Sequence, residues 1–176
     1  MNKKNLIVVD LDGTLIPFDS FRLLVLMNIF DIRITFLLLF RVIRILNIWK
    51  FKKWIVKILI MKQWDKKKAN KFVDKIISRI DVNILKKIQA VCESNNDIII
   101  LCSASPDIYV TKIANRLGWT GYGSFGSENP IHLYGLNKKK FIMNKYPIEK
   151  YNYKYSISDN ESDLELLHMF NTWELI

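Results

Sequence analysis

The run Asp10-Leu11-Asp12-Gly13-Thr14 places two carboxylates two residues apart, directly after the apolar stretch Leu6-Ile7-Val8-Val9. Such a pair suits phosphoryl transfer. Asp10 can attack phosphorus while Asp12 gives a proton to the departing oxygen and later activates water. Gly13 lets backbone N–H groups approach a phosphate, and the Thr14 hydroxyl adds a donor. The same residues could instead bind calcium or simply end a strand, and this run alone leaves those alternatives open.

A second acidic group follows near the other end of the chain, in Ser158-Asp159-Asn160-Glu161-Ser162-Asp163. A hard cation such as Mg²⁺ could bridge Asp10, Asp159 and a phosphate oxygen. Asp163, four residues on, fits a supporting role that holds a lysine or a water. The alternative is a helix cap with solvent-facing acids. Ser103 and Lys138 supply a hydroxyl for a phosphoryl oxygen and a cation against developing charge, although Lys138 sits in a Lys138-Lys139-Lys140 run that a solvated surface would also carry. Cys102, at the end of an apolar run, reads as a buried thiol rather than a nucleophile. His132 reads as a loop or substrate-proximal residue, and His168 as a helix-surface one.

Composition narrows the field. Of 176 residues half are hydrophobic, with 6 Gly and 4 Pro, which excludes a disordered or collagen-like chain. Two cysteines and two histidines exclude a disulfide scaffold, a four-thiolate zinc site and a three-histidine metal site. The net charge of +10 is uneven: residues 20–80 hold 15 Lys and Arg against Asp31, Asp65 and Asp74, giving +12, and the remainder is −2. The basic piece is the one to meet an anionic substrate, a membrane surface or nucleic acid. No stacking motif accompanies the charge, which argues against nucleic acid.

The elements that must position these residues follow from the hydrophobic pattern. Strands are expected at Leu6–Val9, at Asp97–Leu101 stopping at Ser103, and at Lys154–Ile157 stopping at Ser158-Asp159. Helices are expected after Ser105-Pro106, with Ser105 as the cap, and from Lys138 to Tyr146. This alternation predicts an α/β fold with a parallel sheet covered on both faces, its chemistry beyond the carboxyl ends of the strands. Leu23–Trp64 reads as two or three helices, with another from Asp65 to Ile80. On one helix Arg33, Arg41 and Arg44 would fall within about 80° of each other, a basic face. The longest charge-free stretches, Leu23–Phe30 and Ile34–Phe40, are well short of the roughly 20 residues that span a bilayer, and the N-terminus does not read as a signal peptide. Ser124–Pro130 is the clearest loop, and the tail Phe170–Ile176 has room for one final strand.

In this order and spacing, Asp10-Leu11-Asp12-Gly13-Thr14, Ser103, Lys138 and Asp159 with Asp163 resemble the four motifs of haloacid-dehalogenase-like hydrolases. The resemblance runs from Leu6 to about Leu167. Leu101-Cys102-Ser103-Ala104-Ser105-Pro106 and Tyr134-Gly135-Leu136-Asn137-Lys138 are similar to the phosphoserine-phosphatase-like branch. It implies a Rossmann-like core over residues 1–19 and 81–176 and a basic helical cap over 20–80. It also implies an Mg²⁺-dependent phosphatase working through an aspartyl phosphate on Asp10, with Asp12 as general acid and base. Asp10, the main-chain carbonyl of Asp12 and Asp159 would ligate Mg²⁺, and Thr14, Ser103 and Lys138 would hold the phosphoryl group. A phosphomutase or phosphonatase, or a non-catalytic phosphate-binding protein, are the alternatives.

Two features depart from the family pattern: Ser158 stands where Gly is common, and the chain ends soon after the last motif. The basic, apolar cap and the Tyr155–Asp159 region also resemble phosphatidylglycerophosphatase-C-like members. That resemblance implies either a small phosphorylated metabolite or a membrane-lipid phosphate as substrate. The location implied is cytoplasmic, with residues 20–80 available for peripheral contact with an anionic membrane.

Overall fold

Alternation along the first strand determines how the layers stack. In a computed structural model, which describes residues 3–61, 66–92, 97–126 and 131–176, β1 (Lys4–Val9) sends Leu6 and Val8 into one apolar cluster and Ile7 and Val9 into another. Both faces of the sheet are therefore buried, as a parallel sheet requires. β1 is central in a five-stranded sheet of order β3-β2-β1-β4-β5, built with β2 (Asp97–Pro106), β3 (Thr120–Ser124), β4 (Tyr151–Ser158) and β5 (Thr172–Leu175). Every neighbouring pair is parallel.

Between β1 and β2 the chain inserts a helical cap and one further helix. The cap comprises α1 (Ser20–Met27), α2 (Ile32–Val42), α3 (Ile48–Met61) and α4 (Lys66–Ile77), and α5 (Val82–Val91) leads into β2. α6 (Asp107–Arg116) packs on the same side as the cap, whereas α7 (Leu136–Lys145) and α8 (Leu164–Leu167) cover the opposite face. Phe21, Leu24, Ile34, Phe51, Ile55 and Phe72 of the cap share one cluster with Ile7, Val9 and Tyr109. Arg116 on α6 also pairs with Asp74 on α4 at 3.0 Å. Among the described residues no helix is long and apolar enough to cross a membrane.

Several expectations are corrected. β2 continues past Ser103 to Pro106, although its pairing with β1 ends at Leu101. Ser105 does not cap α6: Pro106 occupies the cap position without a side-chain bond, and the Ser105 hydroxyl turns to Asp12 instead. β3 was not foreseen because Gly121 and Gly123 lie within it, and glycine is depleted from strands. They are there for close approach. A Cβ on Gly121 would lie 2.6 Å from the Ala114 Cβ, and one on Gly123 would lie 2.5 Å from the Asp107 backbone. α5 was also unforeseen; Asp81 caps it by accepting from Asn83 and Ile84 N–H groups. Residues 127–130 of the expected loop, and Asp65, lie outside the described residues. The tail does form a final edge strand, β5, tied by Glu174, which accepts from Lys87 at 2.5 Å and from Tyr155 at 2.8 Å.

The shared face of Arg33, Arg41 and Arg44 also needs correction, because α2 stops at Val42. Arg44 adopts φ 62°, and its N–H donates to Arg41 O while Ile45 N–H donates to Phe40 O. This is a Schellman ending with arginine at the left-handed position that glycine normally fills. Replacing Arg44 by Gly removes the clash between Cβ and backbone. It should raise stability by roughly 0.5–1 kcal/mol, the left-handed penalty less glycine's extra unfolded-chain entropy. A higher thermal midpoint for Arg44→Gly is the check.

Candidate active site

β1 lies between β2 and β4, so the residues just beyond these three strands meet at one end of the sheet. Asp10 leaves β1 with its N–H still donated to Ile157 O at 3.0 Å. The chain then doubles back, with Ile16 N–H donating to Leu11 O at 3.0 Å. Gly13 makes that turn at φ 77°, and a Cβ there would lie 1.9 Å from the Asp159 Oδ2. No other residue lets the two acidic segments come together so closely.

Lys138, near the start of α7, reaches the same place. Its buried Nζ donates to Asp10 Oδ1 at 2.6 Å and to Asp163 Oδ2 at 2.5 Å. Burial by itself would lower the Lys138 pKa, but Asp10 and Asp163 outweigh it and hold the ammonium above the ordinary lysine range. Asp163 ends a 3-10 turn over Glu161–Asp163 that Asn160 caps, so the capping role expected as the alternative is filled by Asn160 and leaves Asp163 to Lys138. Ser158, the departure from the family's glycine, donates its hydroxyl to Asp163 Oδ2 at 2.9 Å.

Asp12 is held differently. Its Oδ1 accepts from Ser20 N–H at 2.6 Å, at the N-terminus of α1, and its Oδ2 accepts from Ser105 Oγ at 2.5 Å. Ser20 Oγ in turn lies 3.2 Å from Ser105 Oγ and 2.9 Å from Tyr109 Oη, all buried. A helix N-terminus and its free N–H groups favour a carboxylate at this spot.

Asp159, Ser103 and Thr14 complete the predicted set. Asp159 is the most exposed of the four acids, and its N–H donates to Thr14 Oγ1 at 2.9 Å. Thr14 thus anchors the Asp159 loop by accepting, which leaves its own hydroxyl proton for another acceptor. Ser103 lines the pocket, and its Oγ accepts from Ser105 N–H at 3.1 Å. Cys102 is fully buried, with its thiol pushed up to about 12 by burial, so it is inert. His168 is exposed against Trp173.

The cavity holds about 670 Å³ and is bounded by Asp10, Asp12, Ser103, Lys138, Asp159 and Asp163 at its base. Phe18, Ile48, Lys52, His132 and Tyr134 also line it. His132 stacks between Phe125 and Tyr134 at 5.9 and 5.7 Å, and its buried Nε2 has no hydrogen-bond partner among the described residues. The roles of Lys52, Ser20, Ser105 and Tyr109 are not legible in the sequence, where Ser105 reads as a helix cap within the stretch similar to the phosphoserine-phosphatase-like branch. Lys52 looked like one more cation of a basic run, and nothing in sequence ties the hydroxyls to Asp12.

Charge is the dominant feature of this cavity. Five lining carboxylates face two ammonium groups, a formal surplus of three negative charges. Burial pushes Asp10 up to about 7, against the pull of Lys138. It raises Asp12 as well, against the Ser105 and Ser20 hydrogen bonds. Such a cavity repels a phosphate dianion unless a cation enters with it.

The residues fit a hard divalent ion. Among the described residues no three acidic, histidine or cysteine side chains form a metal cage by themselves. Mg²⁺, however, keeps several waters and binds through one or two carboxylates plus phosphate oxygens. Asp10 and Asp159 both line the cavity and would be those carboxylates, and the charge surplus is the electrostatic reason for the fit.

The sequence profile of haloacid dehalogenase-like hydrolases matches residues 7–168. The fold is similar to that of a protein of unknown function from Bordetella pertussis Tohama I, with TM-score 0.69 and 14% identity over 98% of this chain and 89% of that one. It is similar to phosphoserine phosphatase with a phospho-aspartyl intermediate analogue, at TM-score 0.55 and 16% identity over 98% and 86%. It is also similar to a HAD-family hydrolase from Salmonella enterica serovar Typhi, at TM-score 0.60 and 13% identity over 98% and 63%. No curated protein sequence matches significantly.

His132 gives the site a pH signature. Burial, then Lys52, lowers its pKa to about 4, from 6.5 when unperturbed. Between those values the unfolded chain binds the extra proton, so His132 favours folding above pH 6.5 and loses that contribution as pH falls towards 4. His132→Phe keeps the aromatic stack and removes the titration. Its denaturation midpoint should therefore fall less steeply than the wild type's over that interval.

Proposed function

The chain belongs to the haloacid dehalogenase-like hydrolases, and from that premise we propose that it is an Mg²⁺-dependent phosphomonoesterase of the phosphoserine-phosphatase-like branch. The observation that carries this reading is the retention of a second acid beside the nucleophile: Asp12, buried, raised in pKa and held by Ser20 and Ser105. A family member that displaces a halide has no leaving oxygen to protonate. A buried second carboxyl, raised above the ordinary carboxylate range by burial, can carry the proton that an alkoxide leaving group takes.

Each residue then has a task. An Asp10 carboxylate oxygen attacks phosphorus as the bond from phosphorus to the ester oxygen breaks, and Asp12 protonates that oxygen so that the alcohol leaves. Asp12, now a carboxylate, takes a proton from water as the water oxygen attacks phosphorus. The acyl-phosphate bond breaks, inorganic phosphate departs and Asp10 is free again. Lys138 and Ser103 face the transferred group, where a fixed cation and a hydroxyl offset its charge. Asp163 and Ser158 keep Lys138 in place. Mg²⁺, held by Asp10, the Asp12 carbonyl and Asp159, would supply charge neutralisation at the phosphoryl oxygens. Lys52, whose ammonium burial disfavours despite the nearby acids, offers the cavity a second cation for a further anionic group on the substrate. The similarity in fold to phosphoserine phosphatase supports a small phosphomonoester as substrate class.

Two experiments test the reading. In a screen of phosphomonoesters with Mg²⁺, Asp10→Asn should release no phosphate, and Asp12→Asn should lower kcat by roughly 10²–10⁴-fold. Full turnover by folded Asp10→Asn overturns the covalent route. Separately, Mg²⁺ should raise the thermal midpoint of the wild type, because a ligand of the native state stabilises it. Asp159→Asn should lose most of that shift, and chelator should abolish both the shift and the turnover. An equal shift in Asp159→Asn would place the cation elsewhere.

A further inference from the structure

The second cap helix is built inside out. α2 buries only Ile34 fully, with Leu37 and Leu38 packed at the edge of the core. Ile32, Phe36, Leu39, Phe40 and Ile43 are exposed. At 3.6 residues per turn these five fall on an arc of about 100°, continuous and opposite the buried side. The chain on either side extends it: Phe30 is 100% exposed before the helix, and Ile45 is 66% exposed after it. A contiguous outward apolar face of this size marks an interaction surface on a water-soluble fold.

The charges around it choose the occupant. Arg33 borders the arc, paired with Asp31 at 3.4 Å, and Arg44 stands in the turn that follows, whereas Arg41 falls on the side of the buried Ile34. The next helix, α3, adds exposed Lys50, Lys53 and Lys57. Against 15 basic residues the segment 20–80 has three acidic ones. A second copy docked face to face would oppose these cations to themselves. Apolar side chains flanked by Arg33 and Arg44 within so basic a segment, on a helix about 16 Å long that can lie flat, match an anionic lipid surface instead.

We propose that α2 and its flanking turns dock the protein peripherally on anionic bilayers, with Phe30, Ile32, Phe36, Leu39, Phe40, Ile43 and Ile45 entering the headgroup boundary. The face also leads to the site. Ile48, three residues after Ile45, lines the cavity, so the docking segment runs on in sequence to the site. The inference does not rest on the phosphatase reading, because binding is measured without turnover.

The test is co-sedimentation of the full chain with vesicles of phosphatidylglycerol and phosphatidylcholine, and with phosphatidylcholine alone. The wild type should partition onto the anionic vesicles about tenfold or more over neutral ones. Raising salt from about 0.1 M to about 0.5 M should weaken but not abolish binding, because screening removes attraction and leaves the inserted side chains. The double variant Phe36→Ser/Ile43→Asn, both sites exposed, should keep its circular dichroism and lose about tenfold or more of the binding. Val82→Asn, an exposed apolar site on α5, should bind as the wild type does. Failure of the wild type to bind anionic vesicles overturns the proposal, as does undiminished binding by the folded double variant. Self-association in solution that the double variant abolishes, without vesicle binding, overturns it in favour of a second copy.

Discussion

One buried ammonium governs the end of the sheet. Lys138 Nζ sits between Asp10 and Asp163, at 2.6 and 2.5 Å, with all three side chains nearly out of water. Removing one partner from such a contact costs about 3–5 kcal/mol, a large share of the roughly 5–15 kcal/mol that holds a domain folded. The contact joins the end of β1, the start of α7 and the turn after β4. Those segments lie 128 and 25 residues apart along the chain. It also leaves the cavity short of positive charge, since one ammonium answers two carboxylates while Asp12, Asp19 and Asp159 line the same space. Stability and the demand for a cation thus have one source.

The second acid depends on the cap. Asp12 is bonded on one side by Ser20, the first residue of α1, and on the other by Ser105 from β2. The cap is no loose lid at this point, because its first helix begins on the carboxylate it orients. Its apolar side chains share a single cluster with the sheet, and Arg116 adds a polar tie to α4. Lys52 enters the cavity from α3 within that same arrangement. The inner side of the cap therefore belongs to the site and the core, while α2 turns its apolar arc outward.

Much of this was legible in the chain. Asp10-Leu11-Asp12-Gly13-Thr14 after a β-branched run is a local pattern, since a short apolar strand ending at a turn is dictated by neighbours in sequence. The same holds for β4 running into Asp159 and for the period-two split of Leu6 and Val8 from Ile7 and Val9. The convergence of Asp10, Asp12, Ser103, Lys138, Asp159 and Asp163 is what the family resemblance carried by their order implies, and all six line the cavity. The anchoring by Thr14 was not legible: a hydroxyl beside a phosphate-binding turn and one that anchors a distant loop look identical in sequence. The place of Arg44 was not either, because extrapolating a helical wheel assumes that the helix continues.

What the chain determined by itself was the identity of β1, β2, β4 and the edge strand β5, the presence of an inserted basic helical segment and the acids that terminate the central strands. These depend on hydrophobic period and on residues within a few positions of one another. Only the tertiary structure decided which hydroxyls hold Asp12, that Ser158 supports Asp163, that Lys52 faces the cavity and that α2 exposes its apolar arc. It also decided that β3 exists at all, since Gly121 and Gly123 weaken a strand locally and earn their place only against α6. Each of these is a contact between segments far apart in the chain, and composition carries no record of which face meets which.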